Sequence, residues 1–375
     1  MSRENGGMTD AARQPTTKPI PVVGGSNPIT QPISTPLQLK PGQHRVAVLG
    51  AGSWGTTFAK VLADGGSSVA IWARRAELAR EIMQSRRNSD YLPGINLPRG
   101  IQSSTRLPEV LEGAEQVYLS VPSQSLRENL RIVRELIPDG IPIVSLMKGV
   151  EMSTRSRMSE VIEQELGIDP ERIAVVSGPN LALEIAKEQP TAAVVSSVSL
   201  DTATAVAVIA TNPYFRSFVN TDVIGTEFGG VLKNLIAVAI GIVDGVGYGE
   251  NTKASIITRG LVEMTDFAVA FGGRPETLAG LAGLGDLIAT CESSLSRNNT
   301  AGRLLGQGYA YGEVIAQMNQ TAEGLSSVAP ILELAASRGV EMPIVSQVAE
   351  VLAGTLNPRD IAPHLTTDST EPQGE

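Results

Sequence analysis

The sequence predicts an α/β N-terminal part on a mostly parallel sheet, followed by an all-α C-terminal part. Two observations carry this. From Arg45 onward, short β-branched runs alternate with helical segments, and after about Gly225 the strand signals stop. At 375 residues, 42% of them apolar, the chain is long enough for two domains with sizeable cores.

Taken in order, residues 1–43 are rich in Pro, Thr, Gly, Gln and Ser and bury too little apolar surface to offset ordering entropy, so they read as a disordered extension. An upstream start codon ahead of Met8 would explain them equally well. Glu4 and Asp10 break the charge pattern of a transit peptide, and no apolar block marks a secretory signal. Strands are expected at 45–49, 68–72, 116–121, 142–146, 172–177, 192–196 and 215–219. Helices are expected at 229–246, 252–271, 275–282, 312–317, 326–338 and 346–353. This divides the chain into a nucleotide-binding domain over 44–224, a helical substrate-binding domain over 225–358 and a flexible tail over 359–375. The run from Leu235 to Val243 is nine residues long, too few to span a bilayer, so no membrane insertion is expected.

Composition narrows the chemistry. Thirty Lys plus Arg against 39 Asp plus Glu give a net charge of −9, which disfavours nucleic acid as a partner. Two histidines and one cysteine leave no material for a zinc site, a redox pair or a disulfide scaffold, so no metal is expected. The single thiol suits a reducing cytoplasm. His44 and His364 both fall at element edges, and proton chemistry is left to Lys, Asp, Glu, Ser or Arg.

The first apolar strand runs directly into Gly50-Ala51-Gly52-Ser53-Trp54-Gly55, then a helical stretch, then a second strand. In such a βαβ context the first glycine permits the tight turn, the second lets helix-terminal amides approach a pyrophosphate, and the third lets helix pack on strand. This is the signature of a Rossmann-like dinucleotide fold. At the end of the second strand, where a carboxylate would accept from both ribose hydroxyls of NAD, the chain has Arg74-Arg75. Guanidinium groups pair with a 2′-phosphate, so NADPH/NADP is favoured, with NADH/NAD possible. The competing reading is a solvated cap on the helix that holds Glu77 and Glu81.

Further along come Ser120-Val121-Pro122-Ser123, Met147-Lys148-Gly149, Ser177-Gly178-Pro179-Asn180, Lys233-Asn234, Asp244 in a glycine-rich run, Arg259 with Glu263, Gly283-Leu284-Gly285-Asp286, Thr290-Cys291, Ser296-Arg297-Asn298 and Glu323-Gly324. In this order and spacing, over about residues 45–355, the chain resembles the bacterial-type NAD(P)-dependent glycerol-3-phosphate dehydrogenase family. The resemblance implies reversible reduction of dihydroxyacetone phosphate to sn-glycerol 3-phosphate for glycerophospholipid synthesis, and a homodimer. It implies Lys233 as the proton-transfer lysine, with Lys148 and Asp286 completing the catalytic set. Cofactor contacts are expected from Gly50, Gly52, Ser53, Trp54, Gly55, Arg74, Arg75, Lys148, Ala182, Arg297 and Glu323. Substrate contacts are expected from Lys148, Gly178, Asn180, Lys233, Asp286, Ser296, Arg297 and Asn298. The family usually has a hydroxyl residue where this chain has Asn180, whose amide can still donate.

Plainer roles stand beside these. Asp286 after two glycines could be a helix N-cap. Arg259 and Glu263, four apart on one helix, read first as an ion pair. Cys291 reads as a packed small residue, and Asp244 either orients Lys233 or serves a helix turn. Two other functions compete: a nucleotide sensor without turnover, which would lack Lys148, Lys233 or Asp286, and a ketopantoate reductase-like enzyme, which would not need the Ser296-Arg297-Asn298 trio.

Overall fold

The computed structural model describes residues 31–32, 44–318 and 322–361. Its strands are β1 (Gln31–Pro32), β2 (Arg45–Leu49), β3 (Ser68–Trp72), β4 (Ile101–Ser104), β5 (Gln116–Leu119), β6 (Ile143–Ser145), β7 (Ile173–Ser177), β8 (Thr191–Ser196) and β9 (Phe215–Asn220). They form one sheet in the order β1-β9-β8-β7-β6-β5-β2-β3-β4. From β4 across to β7 every pairing is parallel. The chain starts at β2, steps outward to β3 and β4, then crosses back to β5 and proceeds to β6 and β7. That reversal opens a crevice at the carboxyl ends of β2 and β5, the place where doubly wound sheets take ligands. β8 then turns antiparallel to β7, and β9 lies parallel to β8.

Strand β2 shows why the sheet is buried on both faces. Val46 and Val48 enter one apolar cluster while Ala47 and Leu49 enter another, so alternate side chains serve opposite layers. β4 is absent from the sequence expectation because Ile-Gln-Ser-Ser has one apolar residue; pairing with β3 makes it a strand. Gln31–Pro32 pairs with the edge strand β9, which corrects the expectation of a wholly unstructured extension. The rest of 1–43, and the expected tail beyond Ile361 with His364, lie outside the described residues. Of the tail expected from residue 359, the described part is folded: Pro358–Asp360 forms a 3-10 turn, Tyr248 Oη donates to the Arg359 carbonyl at 2.7 Å, and Ile361 is buried.

The helical part is organised around Val223–Val246, buried without interruption from Gly225 to Val243. It is long and apolar enough to cross a membrane by length and composition, yet most of it lies inside the fold, which is the pattern of a core helix. It begins six residues earlier than periodicity suggests because Asp222 caps it, accepting from the Gly225 N–H at 2.9 Å. Helices Glu250–Ala270, Glu323–Ser337 and Pro343–Ala353 pack around it. Helix Asp286–Glu292 is the one that the capping reading of Asp286 implies, and helix Arg297–Gly306 lies outside the expected set.

The second of these meets the long helix backbone to backbone. A Cβ added at Gly241 would lie 2.1 Å from the Asn299 carbonyl oxygen, and one at Gly245 would lie 2.2 Å from that of Arg303. Reciprocally, a Cβ at Gly302 would lie 2.1 Å from the Val238 oxygen and one at Gly306 would lie 2.2 Å from that of Ile242. No other residue fits at these four positions without parting the helices.

The expected Arg259–Glu263 pair does not form. Glu263 is buried and accepts from the N–H groups of Ile344 and Val345, each at 3.1 Å, satisfying the start of helix Pro343–Ala353, while Arg259 is exposed. Burial pushes the Glu263 carboxyl up to about 7 despite those two bonds.

Candidate active site

Gly50 leaves β2 with φ of 120°, and a Cβ there would lie 2.2 Å from the Ser120 carbonyl oxygen at the end of β5. A Cβ at Gly55 would lie 2.1 Å from the Gly50 oxygen. Gly52 is the opposite case: nothing lies within 4 Å of an added Cβ, and the residue opens helix Ser53–Asp64 with no side-chain cap. The first intrahelical bond runs from Thr56 N–H to the Gly52 carbonyl, leaving the amides of Ser53, Trp54 and Gly55 without intrahelical acceptors. An open space faced by helix-terminal amides suits a pyrophosphate. Trp54 adds a buried indole N–H with no hydrogen-bond partner. These features fit a nicotinamide dinucleotide.

The two arginines that follow β3 differ. Arg75 is bound to Asp90 at 2.6 Å and lies over the Tyr91 ring, 5.7 Å from its centroid. Arg74 is exposed and makes no hydrogen bond or ion pair with a described residue. Of the pair, Arg74 is the one available to a ligand. The helix-cap alternative accounts for Arg75, which occupies the N-cap position of Ala76–Ser85.

Three residues distant in sequence meet beyond the carboxyl ends of β6 and β7. Asp286, 1% exposed, bridges two ammonium groups, with Lys148 Nζ 2.7 Å from Oδ2 and Lys233 Nζ 2.7 Å from Oδ1. Lys148 also donates to the Gly178 carbonyl at 2.9 Å, and Lys233 to Thr290 Oγ1 at 2.6 Å. Burial pushes Lys148 down to about 8; the neighbouring Lys233 acts in the same sense and Asp286 opposes both. The N-cap reading of Asp286 is corrected: it is the first helical residue, Gly285 stands before it, and its carboxylate turns to the lysines.

Glycines make this meeting possible. A Cβ at Gly230, on the long helix, would lie 3.2 Å from Lys148 Cγ, and one at Gly229 would lie 2.4 Å from the Ala282 carbonyl just before the Asp286 turn. Around the cluster stand polar groups with no partner: Ser177 Oγ and both side-chain polar atoms of Asn180 are buried and unbonded. Such groups cost free energy until something polar meets them, so they mark where a hydroxylated ligand fits.

The Ser296-Arg297-Asn298 trio opens helix Arg297–Gly306, with Arg297 exposed. Ser296 Oγ accepts from Asn299 N–H at 3.2 Å as an N-cap, and Asn298 Oδ1 accepts from Gly324 N–H at 3.0 Å. Two of the three thus have structural duties as well. Gly324 lies against the Asn234 carbonyl, which connects the trio to Lys233. Glu323 sits 3.3 Å from Ser123 Oγ and close to Gly149, and burial raises its pKa. Ala182 contributes its carbonyl to Thr57 Oγ1 at 3.2 Å, fastening its turn to the glycine-turn helix.

Asp244 does not orient Lys233; it pairs with Lys253 at 3.1 Å. Cys291 is buried, and burial pushes its thiol up to about 12, so it is a packed residue, not a nucleophile. His44 pairs with Glu115 at the start of β2. Thr290 touches Lys233, a role the motif alone does not assign; its spacing of four from Asp286 on one helix is the signal in the sequence.

Two family models match this arrangement. That of the NAD-dependent glycerol-3-phosphate dehydrogenase N-terminus covers residues 45–203, and that of the C-terminus covers residues 222–363. The chain is 74% identical over 328 residues to glycerol-3-phosphate dehydrogenase [NAD(P)+] of Leifsonia xyli subsp. xyli, covering 88% of this chain and 89% of that one. It is 49% identical over 330 residues to the protein of the same name from Thermobifida fusca, covering 88% and 98%. Among solved structures, glycerol-3-phosphate dehydrogenase from Coxiella burnetii superposes with a TM-score of 0.81 at 37% identity, covering 87% of this chain and 99% of that one.

Proposed function

Since the chain belongs to the NAD-dependent glycerol-3-phosphate dehydrogenase family, we propose that Lys233, Asp286 and Lys148 carry the proton and oxyanion chemistry of its reaction. That reaction is the reversible NAD(P)H-dependent reduction of dihydroxyacetone phosphate to sn-glycerol 3-phosphate, which feeds glycerophospholipid synthesis. The observation that carries the assignment of roles is the single carboxylate of Asp286 bridging two ammonium groups beside the dinucleotide cradle.

A nicotinamide held by the Gly50–Gly55 turn would supply the hydride. Lys233 gives its proton to the ketone oxygen as negative charge develops there, and Asp286 with Thr290 aims the ammonium. Lys148, whose lowered pKa keeps its proton mobile near neutrality, holds the same oxygen from the other side. Asn180 answers a substrate hydroxyl with its unpaired amide, and Ser296, Arg297 and Asn298 hold the phosphate at a helix start. In the reverse direction the roles invert, with Lys233 receiving the alcohol proton.

On the cofactor side, Gly50, Gly52 and Gly55 shape the pyrophosphate turn, Ser53 and Trp54 donate, and Ala182, Arg297 and Glu323 line the far end. Unpaired Arg74 supports a preference for the 2′-phosphate, with Arg75 held by Asp90 as its backing. A division near residue 224 into nucleotide- and substrate-binding domains fits the end of β9 at Asn220 and the start of the long helix at Val223. A cytoplasmic homodimer belongs to the same reading; exposed Val262 and Val269 on helix Glu250–Ala270 offer a face for it.

The test is NADPH oxidation with dihydroxyacetone phosphate, repeated with NADH and with ketopantoate. Turnover only with dihydroxyacetone phosphate, faster with NADPH, is expected. Turnover with ketopantoate alone would overturn the substrate assignment, and light scattering checks the dimer.

A further inference from the structure

Glu227 lies in the second turn of helix Val223–Val246, is 6% exposed, and takes no part in the chemistry above. Its Oε1 accepts from Ser159 N–H at 2.9 Å. Its Oε2 accepts from Ser159 Oγ at 2.5 Å and from Arg157 Nη1 at 2.6 Å. Three donors from one segment meeting a buried carboxylate make a built contact, not a solvated charge.

That segment closes the hairpin that begins at Lys148. Val150 and Arg157 form an isolated antiparallel bridge, Glu151 N–H donates to the Ser156 carbonyl at 2.9 Å, and Glu160 holds Arg157 at 2.9 Å. The hairpin touches the long helix again at Gly230, over which the Lys148 stem passes. Lys233 follows Glu227 by six residues, about 9 Å along the helix axis. One loop and one helix are thus joined at two points, and each carries one of the two ammonium groups that Asp286 bridges.

We propose that Glu227 is a positioning residue for the reaction. By fastening the Lys148 hairpin to the Lys233 helix, it sets the separation at which one carboxylate can hold both ammonium groups. Without it, Arg157 and Ser159 lose their acceptor and the closing end of the hairpin is no longer fastened to the long helix; Val150 in the helical core and the Arg155–Glu333 pair keep the loop folded, and Lys148 shifts out of register with the substrate oxygen opposite Lys233. The inference rests on the roles given above to Lys148 and Lys233.

Glu227→Gln keeps the shape and removes the charge; Glu227→Asp keeps the charge on a shorter stem; Ser159→Ala removes one donor. Each is measured for thermal midpoint, NADPH dissociation constant, and kcat and KM for dihydroxyacetone phosphate, beside the wild-type enzyme. The expected result for Glu227→Gln is a kcat lowered about tenfold or more, a range typical of a displaced catalytic group, with NADPH affinity within about twofold. Glu227→Asp should recover part of kcat and Ser159→Ala should lose less than Glu227→Gln. Combined with Lys148→Ala, Glu227→Gln should add little further loss, because it acts through the placement of that lysine. A kcat that matches wild type per folded molecule, or losses that multiply with Lys148→Ala, would overturn the proposal. Wild-type inactivity toward dihydroxyacetone phosphate would instead strike the functional reading on which it rests.

Discussion

Glycine does opposite work in the two halves of the chain. In the dinucleotide turn, Gly52 borders open space, and its missing side chain leaves room for something that is not protein. Along the long helix, Gly241 and Gly245 border the backbone of helix Arg297–Gly306, and their missing side chains leave room for the protein itself. The first kind is legible because a strand before it and a helix after it state its purpose. The second kind reads as a propensity cost of about 1 kcal/mol per residue until the facing helix is known. One region reserves volume for a ligand, and the other spends it on fixing distances between catalytic parts.

Four experiments press on that contrast. The largest effect should come from Lys233→Ala, which tests whether chemistry resides in the helical half while cofactor binding resides in the sheet. Turnover should fall by roughly 10²–10⁴-fold, the range for loss of a general acid, while the NADPH dissociation constant stays within about twofold. Loss of cofactor affinity instead would merge the two regions.

Next come paired glycine substitutions. Gly302→Ala places a methyl 2.1 Å from the Val238 carbonyl and should destabilise the fold by about 1–3 kcal/mol, visible as a lower thermal midpoint. Gly52→Ala should leave the midpoint of the unliganded protein unchanged and weaken NADPH by about tenfold or more, since its methyl enters only the ligand's space. If both lower the midpoint equally, the distinction between the two kinds of glycine fails.

A smaller effect separates the two arginines. Arg74→Ala should weaken NADPH by about tenfold, a charge-assisted pair's worth, and leave NADH nearly unchanged, whereas Arg75→Ala should do less because Asp90 already occupies its guanidinium. Equal losses for both cofactors would remove the 2′-phosphate role.

The smallest is a pH displacement. With Lys148 pushed down to about 8, its ammonium is complete below that pH and lost above it. The reduction rate should therefore decline as pH rises through about 8. Lys148→Arg, which stays charged, should shift that decline upward even if the absolute rate drops. An unmoved alkaline limb would assign the titration to another group.

Much of this molecule could be read from its residues, and the unread part has a common cause. The βαβ unit is legible because it is a local pattern, whereas Lys148 and Lys233 each read locally as surface cations and are singled out only by the family resemblance. β4 is not legible, because Ile101-Gln-Ser-Ser takes its strand character from its neighbour β3. Periodicity starts the long helix too late because its first turn is set by the Asp222 cap. Local spacing gives Glu263 a neighbour on its own helix, and the structure gives it amides about eighty residues away, a separation that spacing cannot express. Thr290 and Glu227 belong to the same class: their partners are chosen by tertiary packing.

The long helix has one more consequence, which is mechanical. Its 24 residues extend about 36 Å at 1.5 Å per residue. Held near Glu227 and again by the backbone contacts at Gly241 and Gly245, it is a beam supported at both ends. Were the second support lost, a sway of about 5° about the first would displace the backbone at Lys233 by less than about 1 Å but that at Gly245 by roughly 2–3 Å, using the same rise per residue. The proton-bearing group sits close to the first support, where angular displacement is smallest, and the glycine contacts with helix Arg297–Gly306 hold the far end.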